Sequence, residues 1–553
     1  MRNTMLQVPS QLTLALEPLI VLRELYKAGF AGYIVGGAVR DLLLSNNKWL
    51  LIDFDLTTNA TPQQLLSLFP FAFYENSFGT VSLTYQHLWD FASIDSDYRS
   101  ARELIMTSHQ IRKSNPTLID LVNATKIHTS LLKHTATNTI LEPIKAVLPL
   151  VEVTTFRSGE KYNTGARRPS EVQWGHSLIE DLNRRDFTIN ALALKIQPEW
   201  VETTLTNLST VPPTLQGLVV PASSFELIDR HEGLQDLENG LVRTVGTAAD
   251  RIQEDALRAL RAIRFSVQLG FSVDPILITA IQQHTDLLTN VSPERIRDEL
   301  FKMLVSPQPK MAIELLDATG LLEQIIPELL LAKNVRQGGH HTTDVWEHSL
   351  DALQACPSED PIVRLATLLH DIAKPQTYND DKGQPTFYNH EVIGARIAKQ
   401  IGQRLRLSKY DCDRLFTLVR FHMFYYQPEN SDAAIRRFMR KVGLEHIDDI
   451  LDLREGDRLG SGARKTSWRL EEMKERMVGQ LHQPFDVNDL AIDGHDLIEH
   501  FDLRPGKIIG VILNQLFEIV IENPEKNTKE SLFELATEAL ASALPLNNPV
   551  PSK

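Results

Sequence analysis

The sequence has little cysteine. Two residues, Cys356 and Cys412, in 553 exclude a disulfide framework and a cysteine-rich zinc site, and fit a reducing compartment. It has no apolar run long enough to span a bilayer. Its opening, MRNTMLQVPSQLTLAL, lacks a charged segment followed by a clean apolar core and a small-residue cleavage site, so the expectation is a cytoplasmic protein with no membrane partner. Positive charge is also short: the net charge of −14 argues against a protein that coats nucleic acid non-specifically. A local basic groove stays compatible with that total, because charges are screened over about 8 Å at physiological salt. What is present, 42% apolar and 23% charged residues, is ordinary for a soluble globular chain. The length implies roughly three to five domains, and no internal repeat is apparent.

Apolar positions at helical spacing, Leu19, Leu22, Leu25 and Tyr26, predict a helix over 16–30. AGYIVGG then reads as a strand into a glycine turn, AVRDLLL as a helix start, IDFDL as a strand, and TPQQLLSLF as a helix capped by Thr61. FGTVSLTY and PLVEVTTFR are rich in β-formers. Between them the polar stretch at about 87–149 reads as an insertion. From Leu178 onward strand signals are sparse and helical patterns dominate: 250–270, 293–305, 309–318, 344–356, 361–373, 391–406, 408–421 and 506–522. A mixed head followed by an all-helical body is the simplest architecture.

Asp53 and Asp55 lie two apart on the predicted IDFDL strand and so share a face. Paired carboxylates repel unless a cation separates them, and Mg²⁺ is the natural oxygen-ligand ion. Glu152, opposite Val151 and Val153 in VEVTTFR, offers a third acid. GGAVRD ahead of them places a double glycine at a helix start, where backbone N–H groups face an anion, with Arg40 in the first turn. Asp-x-Asp at a strand end is also a common solvated turn, and Asp95 and Asp97 in SIDSDY are read that way. In SLIEDLNRRDFTINALAL a helix would put Arg185 and Asp186 near its start with Asn190 one turn beyond, which a surface ion-pair cluster would also satisfy. EDALRALRAIRF carries Asp255 and Arg258 three apart and repeats arginine at 258, 261 and 264. Like charges at that spacing cost stability; nearby carboxylates, or a triphosphate and RNA, would offset them.

GGAVRD, DFD, RRDFTINALA and EDALRALRAIRF, in that order and followed by ERIRDELFKML, resemble the class II tRNA nucleotidyltransferase and poly(A) polymerase family, the CCA-adding enzymes with a polymerase-β-like head. The resemblance implies that Asp53 and Asp55 hold Mg²⁺ with Glu152 supporting them. It implies that Gly37, Arg40 and Arg185 contact the nucleotide, that Asp255 and Arg258 template the incoming base, and that Arg261 and Arg264 are further nucleotide-binding arginines. The template has a physical basis: Asp accepts from the exocyclic amine that cytosine and adenine share, and Arg donates to ring acceptors. Guanine and uracil would leave the Asp facing another acceptor. Two departures stand out. The insertion separates β segments that the family joins closely, and YNTGARRP has Thr164 and no acid before its Arg-Arg-Pro, which leaves CC-only addition open. The extra basic motif of a bacterial poly(A) polymerase is not found.

In the second half HHTTDVWEHSL, LLHDIAKP and FYNHEVIGA resemble an HD-domain phosphohydrolase. His348, His370, Asp371 and His390 form a candidate site for a second divalent transition metal, with His422 and Asp457 as further candidates. PGKIIG near the C-terminus reads as a helix start able to hold a tRNA phosphate.

The expected fold is α+β: a nucleotidyltransferase head with a small mixed sheet (14–196), a helical neck (197–335), an HD domain (336–470) and a helical tRNA-binding tail (471–553). The expected partners are tRNA, CTP and ATP, in a monomer or dimer. The expected activity is CCA addition by two-metal nucleotidyl transfer. The alternatives are CC or poly(A) addition, or an HD phosphohydrolase with a vestigial head.

Overall fold

A computed structural model describes residues 9–44, 54–75, 80–84, 87–88, 149–161, 171–175, 177–207, 218–338, 343–381, 383–424, 426–462 and 467–543. Asp53, Asp95, Asp97, Thr164 and nearly all of the insertion lie outside these residues. The chain divides into two compact units, Met1–Leu330 with Arg404–Arg406, and Leu331–Gln403 with Leu407–Lys553.

The first unit is built on strands β1 (Gln11–Leu14), β2 (Gly32–Val35), β3 (Phe54–Thr58), β4 (Phe73–Glu75), β5 (Thr80–Thr84), β6 (Pro149–Thr155), β7 (Arg157–Lys161), β8 (Glu171–Trp174), β9 (Leu192–Ile196), β10 (Leu218–Pro221) and β11 (Phe225–Asp229). Seven of them form one mixed sheet in the order β11-β9-β2-β3-β6-β5-β4. Here β3 and β6 run parallel, while β2 pairs antiparallel with both β3 and β9. One face is packed by Phe54, Leu56, Val151 and Val153, all at most 1% exposed. The helix Leu16–Lys27 buries Leu19, Leu22 and Leu25, as its spacing predicts. Thr61 caps Pro62–Leu68 through a reciprocal capping box with Gln64.

Three expectations change here. Strands continue past Leu178: β9 is an inner strand of the sheet, between β11 and β2. Leu192, Ala193, Leu194 and Ile196 are all buried, so LALKI is covered on both faces and lacks the alternation that marks a half-buried strand. The 250–270 helix is two helices, Ala248–Glu254 and Leu257–Leu269, with Asp255 extended between them. The helix expected around Arg185 and Asp186 is Leu178–Asn183. It ends before both residues, and a 3₁₀ turn follows at Thr188–Asn190.

The second unit has no named strand among its described residues and is helical: Val345–Ala355, Pro361–Leu369, Lys374–Thr377, His390–Arg404, Lys409–Phe421, Asp432–Val442, Ile447–Gly460, Trp468–Gln480, Gly494–Phe501, Lys507–Glu522 and Lys529–Ala543. Its distal part has its own core of Leu497, Ile512, Leu516, Phe517 and Leu532. Lys507 opens the helix predicted from PGKIIG. No helix among the described residues is long and apolar enough to cross a membrane.

Candidate active site and candidate metal centre

In the first unit Asp55 and Glu152 are register partners on the adjacent parallel strands β3 and β6, so both carboxylates stand on the sheet face opposite the core. The turn after β2 supplies the other wall. Gly36 has φ +72°, and a Cβ there would lie 2.8 Å from Arg185 Nη1 and 3.7 Å from Asp55 Oδ2. Glycine is needed because the backbone is left-handed and a guanidinium occupies the space a side chain would take. Gly37 opens the helix Gly37–Leu44, which carries Arg40.

Arg185 is anchored from behind. Its Nη2 donates to Asp181 Oδ2 (3.1 Å) and its Nη1 to the Asn190 carbonyl (3.3 Å). Its buried Nε has no partner among the described residues. Asp181 is fully buried and also accepts from Arg184. Burial works to raise its carboxyl, but Arg185 and Arg184 hold it below the usual range.

A chain of side chains links this turn to the arginine helix Leu257–Leu269. Arg40 Nη1 donates to Asn190 Oδ1 (2.8 Å), Asn190 Nδ2 to Asp186 Oδ1 (3.2 Å), and Arg261 Nε to Asp186 Oδ2 (2.7 Å). Burial raises the Asp186 carboxyl, but the Arg261 charge outweighs it and holds the group at about 2. Arg40, Arg261 and Arg264 all lie against the Phe265 ring, at 5.1, 5.5 and 3.9 Å from its centroid. Guanidinium–ring contact is favourable and helps hold like charges together.

Each helix arginine has its own carboxylate. Arg258 Nη1 bonds Glu254 (2.6 Å), Arg261 bonds Asp186, and Arg264 Nε bonds the buried Glu299 (2.5 Å). Nearby acids, one of the two offsets weighed for this arginine repeat, are therefore present. Asp255 and Arg258 do not pair with each other: Asp255 Oδ2 accepts from Arg295 Nη2 at 2.6 Å, while Arg258 Nη2 reaches the Arg184 carbonyl at 3.2 Å. Arg295 and Glu299 belong to ERIRDELFKML, a stretch noted in the sequence without roles for these residues. Phe265 and Asp181 were legible only as helix positions.

The second unit holds a tighter cluster. His348 and His370 Nε2 are 3.2 Å apart, and His370 Nε2 is 3.1 Å from Asp371 Oδ2. On the other oxygen of Asp371, Oδ1 lies 3.4 Å from His390 Nε2 and 3.7 Å from His422 Nε2. Asp457 Oδ1 is 3.2 Å from His348 Nε2. His348, His370 and Asp371, and separately Asp371, His390 and His422, each converge as a metal-binding group would, so the four histidines meet around Asp371, with Asp457 against His348 and His370. The helix starts and ends deliver them: His370 and His422 end Pro361–Leu369 and Lys409–Phe421, and His390 opens His390–Arg404.

The donor set fits divalent transition metals. His370, His390 and His422 each turn Nδ1 to a backbone carbonyl, of Thr367, Phe387 and Val419, all at 2.7 Å. With Nδ1 turned outward, each ring presents Nε2 to the cluster, the atom a metal would take as ligand. Burial works to raise Asp371, yet His370 and Lys374 hold it well below the carboxylate range. Burial works to lower His370, yet Asp371 lifts it to about 10; burial and His370 together push His422 down to about 3. So many donors facing one another call for a shared cation.

Four family models match in order along the chain: the poly A polymerase head domain (32–98 and 106–207), the probable RNA and SrmB-binding site of polymerase A (270–332), the HD domain (339–459), and a putative tRNA nucleotidyltransferase domain 2 (400–536). The chain is 34% identical over 357 residues to an A-adding tRNA nucleotidyltransferase of Deinococcus radiodurans, covering 62% of this chain and 75% of that one. It is 26% identical over 535 residues to a CCA-adding enzyme of Lactobacillus johnsonii, covering 95% and 97%. The solved structure of the Bacillus stearothermophilus CCA-adding enzyme in complex with CTP shares the fold, with a TM-score of 0.59 at 22% identity over 95% of this chain and 97% of that one. With the head, the neck motif and the HD cluster in this order, the chain belongs to the tRNA nucleotidyltransferase and poly(A) polymerase family of enzymes and carries an HD domain.

Proposed function

We propose that this enzyme, acting in the cytoplasm, adds CCA to the 3′ end of tRNA from CTP and ATP. The observation that carries this reading is the Arg40–Asn190–Asp186–Arg261 chain, which ties the glycine turn beside Asp55 to the arginine helix. Support also comes from the CCA-adding relative, which matches nearly the whole chain. Asp53, Asp55 and Glu152 would hold magnesium. Bound there, magnesium supplies Lewis-acid activation of the RNA 3′-hydroxyl and charge neutralisation at the triphosphate. The Gly37 N–H, Arg40 and Arg185 would bind and orient the phosphates. Asp255 and Arg258 read the base edge. Arg295 holds the Asp255 carboxylate in place, and a carboxylate oxygen accepts, so an exocyclic amine satisfies it and a carbonyl does not. Arg261 and Arg264 spend only part of their five donors on Asp186 and Glu299, which leaves capacity for the nucleotide. The tail helix beginning at Lys507 would hold a tRNA phosphate. The division into head, neck, HD domain and tail at 14–196, 197–335, 336–470 and 471–553 goes with these roles.

The test is incorporation of each nucleotide alone on tRNA lacking its last three nucleotides, and on tRNA ending in CC. CTP alone should add two residues, and ATP should add one to the CC end. Addition of A only, of CC only, or of a run of A would replace this reading by A-adding, CC-adding or poly(A)-adding activity. A second reading, hydrolysis of phosphoesters at RNA ends by the HD domain, is favoured by the convergence of four histidines and two aspartates. It accompanies the first reading; metal-dependent phosphate release with no incorporation would leave it alone with a vestigial head.

A further inference from the structure

Three arginines of the head and neck share one aromatic ring, that of Phe265. The ring is buried on the helix Leu257–Leu269, and Phe187 packs against it in a T-shaped contact with centroids 5.6 Å apart. Arg40 reaches it from the helix Gly37–Leu44, Arg261 from one turn earlier on its own helix, and Arg264 from the neighbouring position. Like charges gathered this closely repel. Burial pulls the Arg264 guanidinium below its usual range; Glu299 works against that, and the Arg261 charge adds to it. Lys302 Nζ, 3.7 Å from Glu299 Oε1, brings a fourth cation to the same carboxylate.

Acids and amides offset part of this charge, but each occupies N–H donors. Arg40 spends Nε on Asp41 (2.7 Å) and Nη1 on Asn190. Arg261 spends Nε and Nη2 on Asp186. Arg264 spends Nε on Glu299 and Nη1 on Gln268 (2.8 Å). The third nitrogen of each, Arg40 Nη2, Arg261 Nη1 and Arg264 Nη2, has no hydrogen-bond partner among the described residues. An aromatic face attracts a guanidinium through the ring quadrupole. It takes none of the N–H groups, which point outward in the guanidinium plane. The ring therefore reduces the repulsion and leaves these donors unspent. A carboxylate in its place would consume them, and an aliphatic side chain would leave the repulsion uncompensated.

We propose that Phe265 is a positioning residue for nucleotide binding: its π-face holds Arg40, Arg261 and Arg264 as a preformed set with donors open to a nucleoside triphosphate. Without that face the incoming nucleotide would have to order the arginines itself, at the expense of affinity. The proposal rests on the nucleotidyltransferase reading and adds to it a residue that acts only through the arginines.

The full chain is prepared as wild type, as Phe265→Leu, and with phenylalanines bearing one, two or three ring fluorines at this position. Fluorine drains negative charge from the ring face and leaves its shape nearly unchanged. CTP binding in magnesium buffer is read by calorimetry. KM and kcat for CTP are read by incorporation on tRNA lacking its last three nucleotides, and folding by urea unfolding. Kd and KM for CTP should rise stepwise with fluorine number, to roughly ten-fold at three fluorines, the order of a desolvated cation–π contact, with kcat changing less than KM. Phe265→Leu should weaken CTP at least as much. Kd and KM that do not follow fluorine number overturn the proposal, even where Phe265→Leu weakens binding or the fluorinated chains unfold at lower urea, because the ring then only fills space or supports the fold. A wild type that neither binds nor incorporates CTP overturns the nucleotidyltransferase reading beneath it.

Discussion

The head and the HD cluster both gather acids, but in opposite ways. In the head, Asp55 and Glu152 sit on an open sheet face beside arginines, with only oxygen donors for a cation. In the HD domain, His348, His370, Asp371 and His422 are all at most 2% exposed, and imidazole nitrogens close around one carboxylate. Oxygen ligands on an accessible face suit magnesium, which keeps waters and arrives with the substrate's phosphates. Buried imidazoles fixed through their Nδ1 protons suit a resident transition metal. On the proposed reading, one chain would keep two phosphate chemistries apart by donor type and by burial.

The sharpest way to break this comparison is to remove one acid from each site. Asp55→Ala should lower nucleotide incorporation by about a thousand-fold or more, the several kcal/mol that metal-borne charge stabilisation supplies, while tRNA binding and HD phosphohydrolysis persist. Asp371→Ala should abolish phosphohydrolysis and leave incorporation within about two-fold. Loss of both activities in either variant, measured side by side, would mean the sites are not independent.

A smaller contrast concerns buried arginines. Arg264 relies on one carboxylate, Glu299, whereas Arg414 in the second unit has two, Asp360 at 3.0 Å and Asp449 at 2.7 Å. Glu299→Ala should destabilise the first unit by about 3–5 kcal/mol, because it strands a buried charge. Asp449→Ala leaves a second acid in place and should cost the second unit about 1–3 kcal/mol. Urea unfolding followed by probes in each unit separates the two, and equal losses would deny the difference in redundancy.

The smallest effect is in pH. Asp186 is depressed to about 2 in the folded chain. Its stabilising contribution is therefore full above the ordinary carboxyl range and is lost as pH falls from about 4 through about 2. It amounts to roughly 2 kcal/mol. The stability gap between wild type and Asp186→Asn should shrink over that window; a gap independent of pH would remove the Asp186–Arg261 ion pair as its cause.

Much of the candidate chemistry was readable before any coordinates. The double glycine and the capped Pro62–Leu68 helix follow from local rules of backbone freedom and capping, whereas His370, expected inside a 361–373 helix, ends Pro361–Leu369 instead. Residues such as Phe265 and Asp181 and the inner strand β9 were not readable, because their roles depend on what packs against them. An apolar run buried on both faces has no alternation to betray it, and a helical phenylalanine looks the same whether it faces a core or three guanidiniums.

The sequence by itself determined which side chains are available and their local spacing: acids on strands, arginines every third residue, histidines on or beside helices. Tertiary structure decided their partners. Asp255 turned to Arg295 and away from Arg258, Asp186 joined Arg40's network to Arg261, and Asp371 became the carboxylate shared by two groups of ligands. The reason is physical: charge pairing, desolvation and metal geometry act through space over a few ångströms, and residues far apart in the chain come within that range only when the sheet and helices pack.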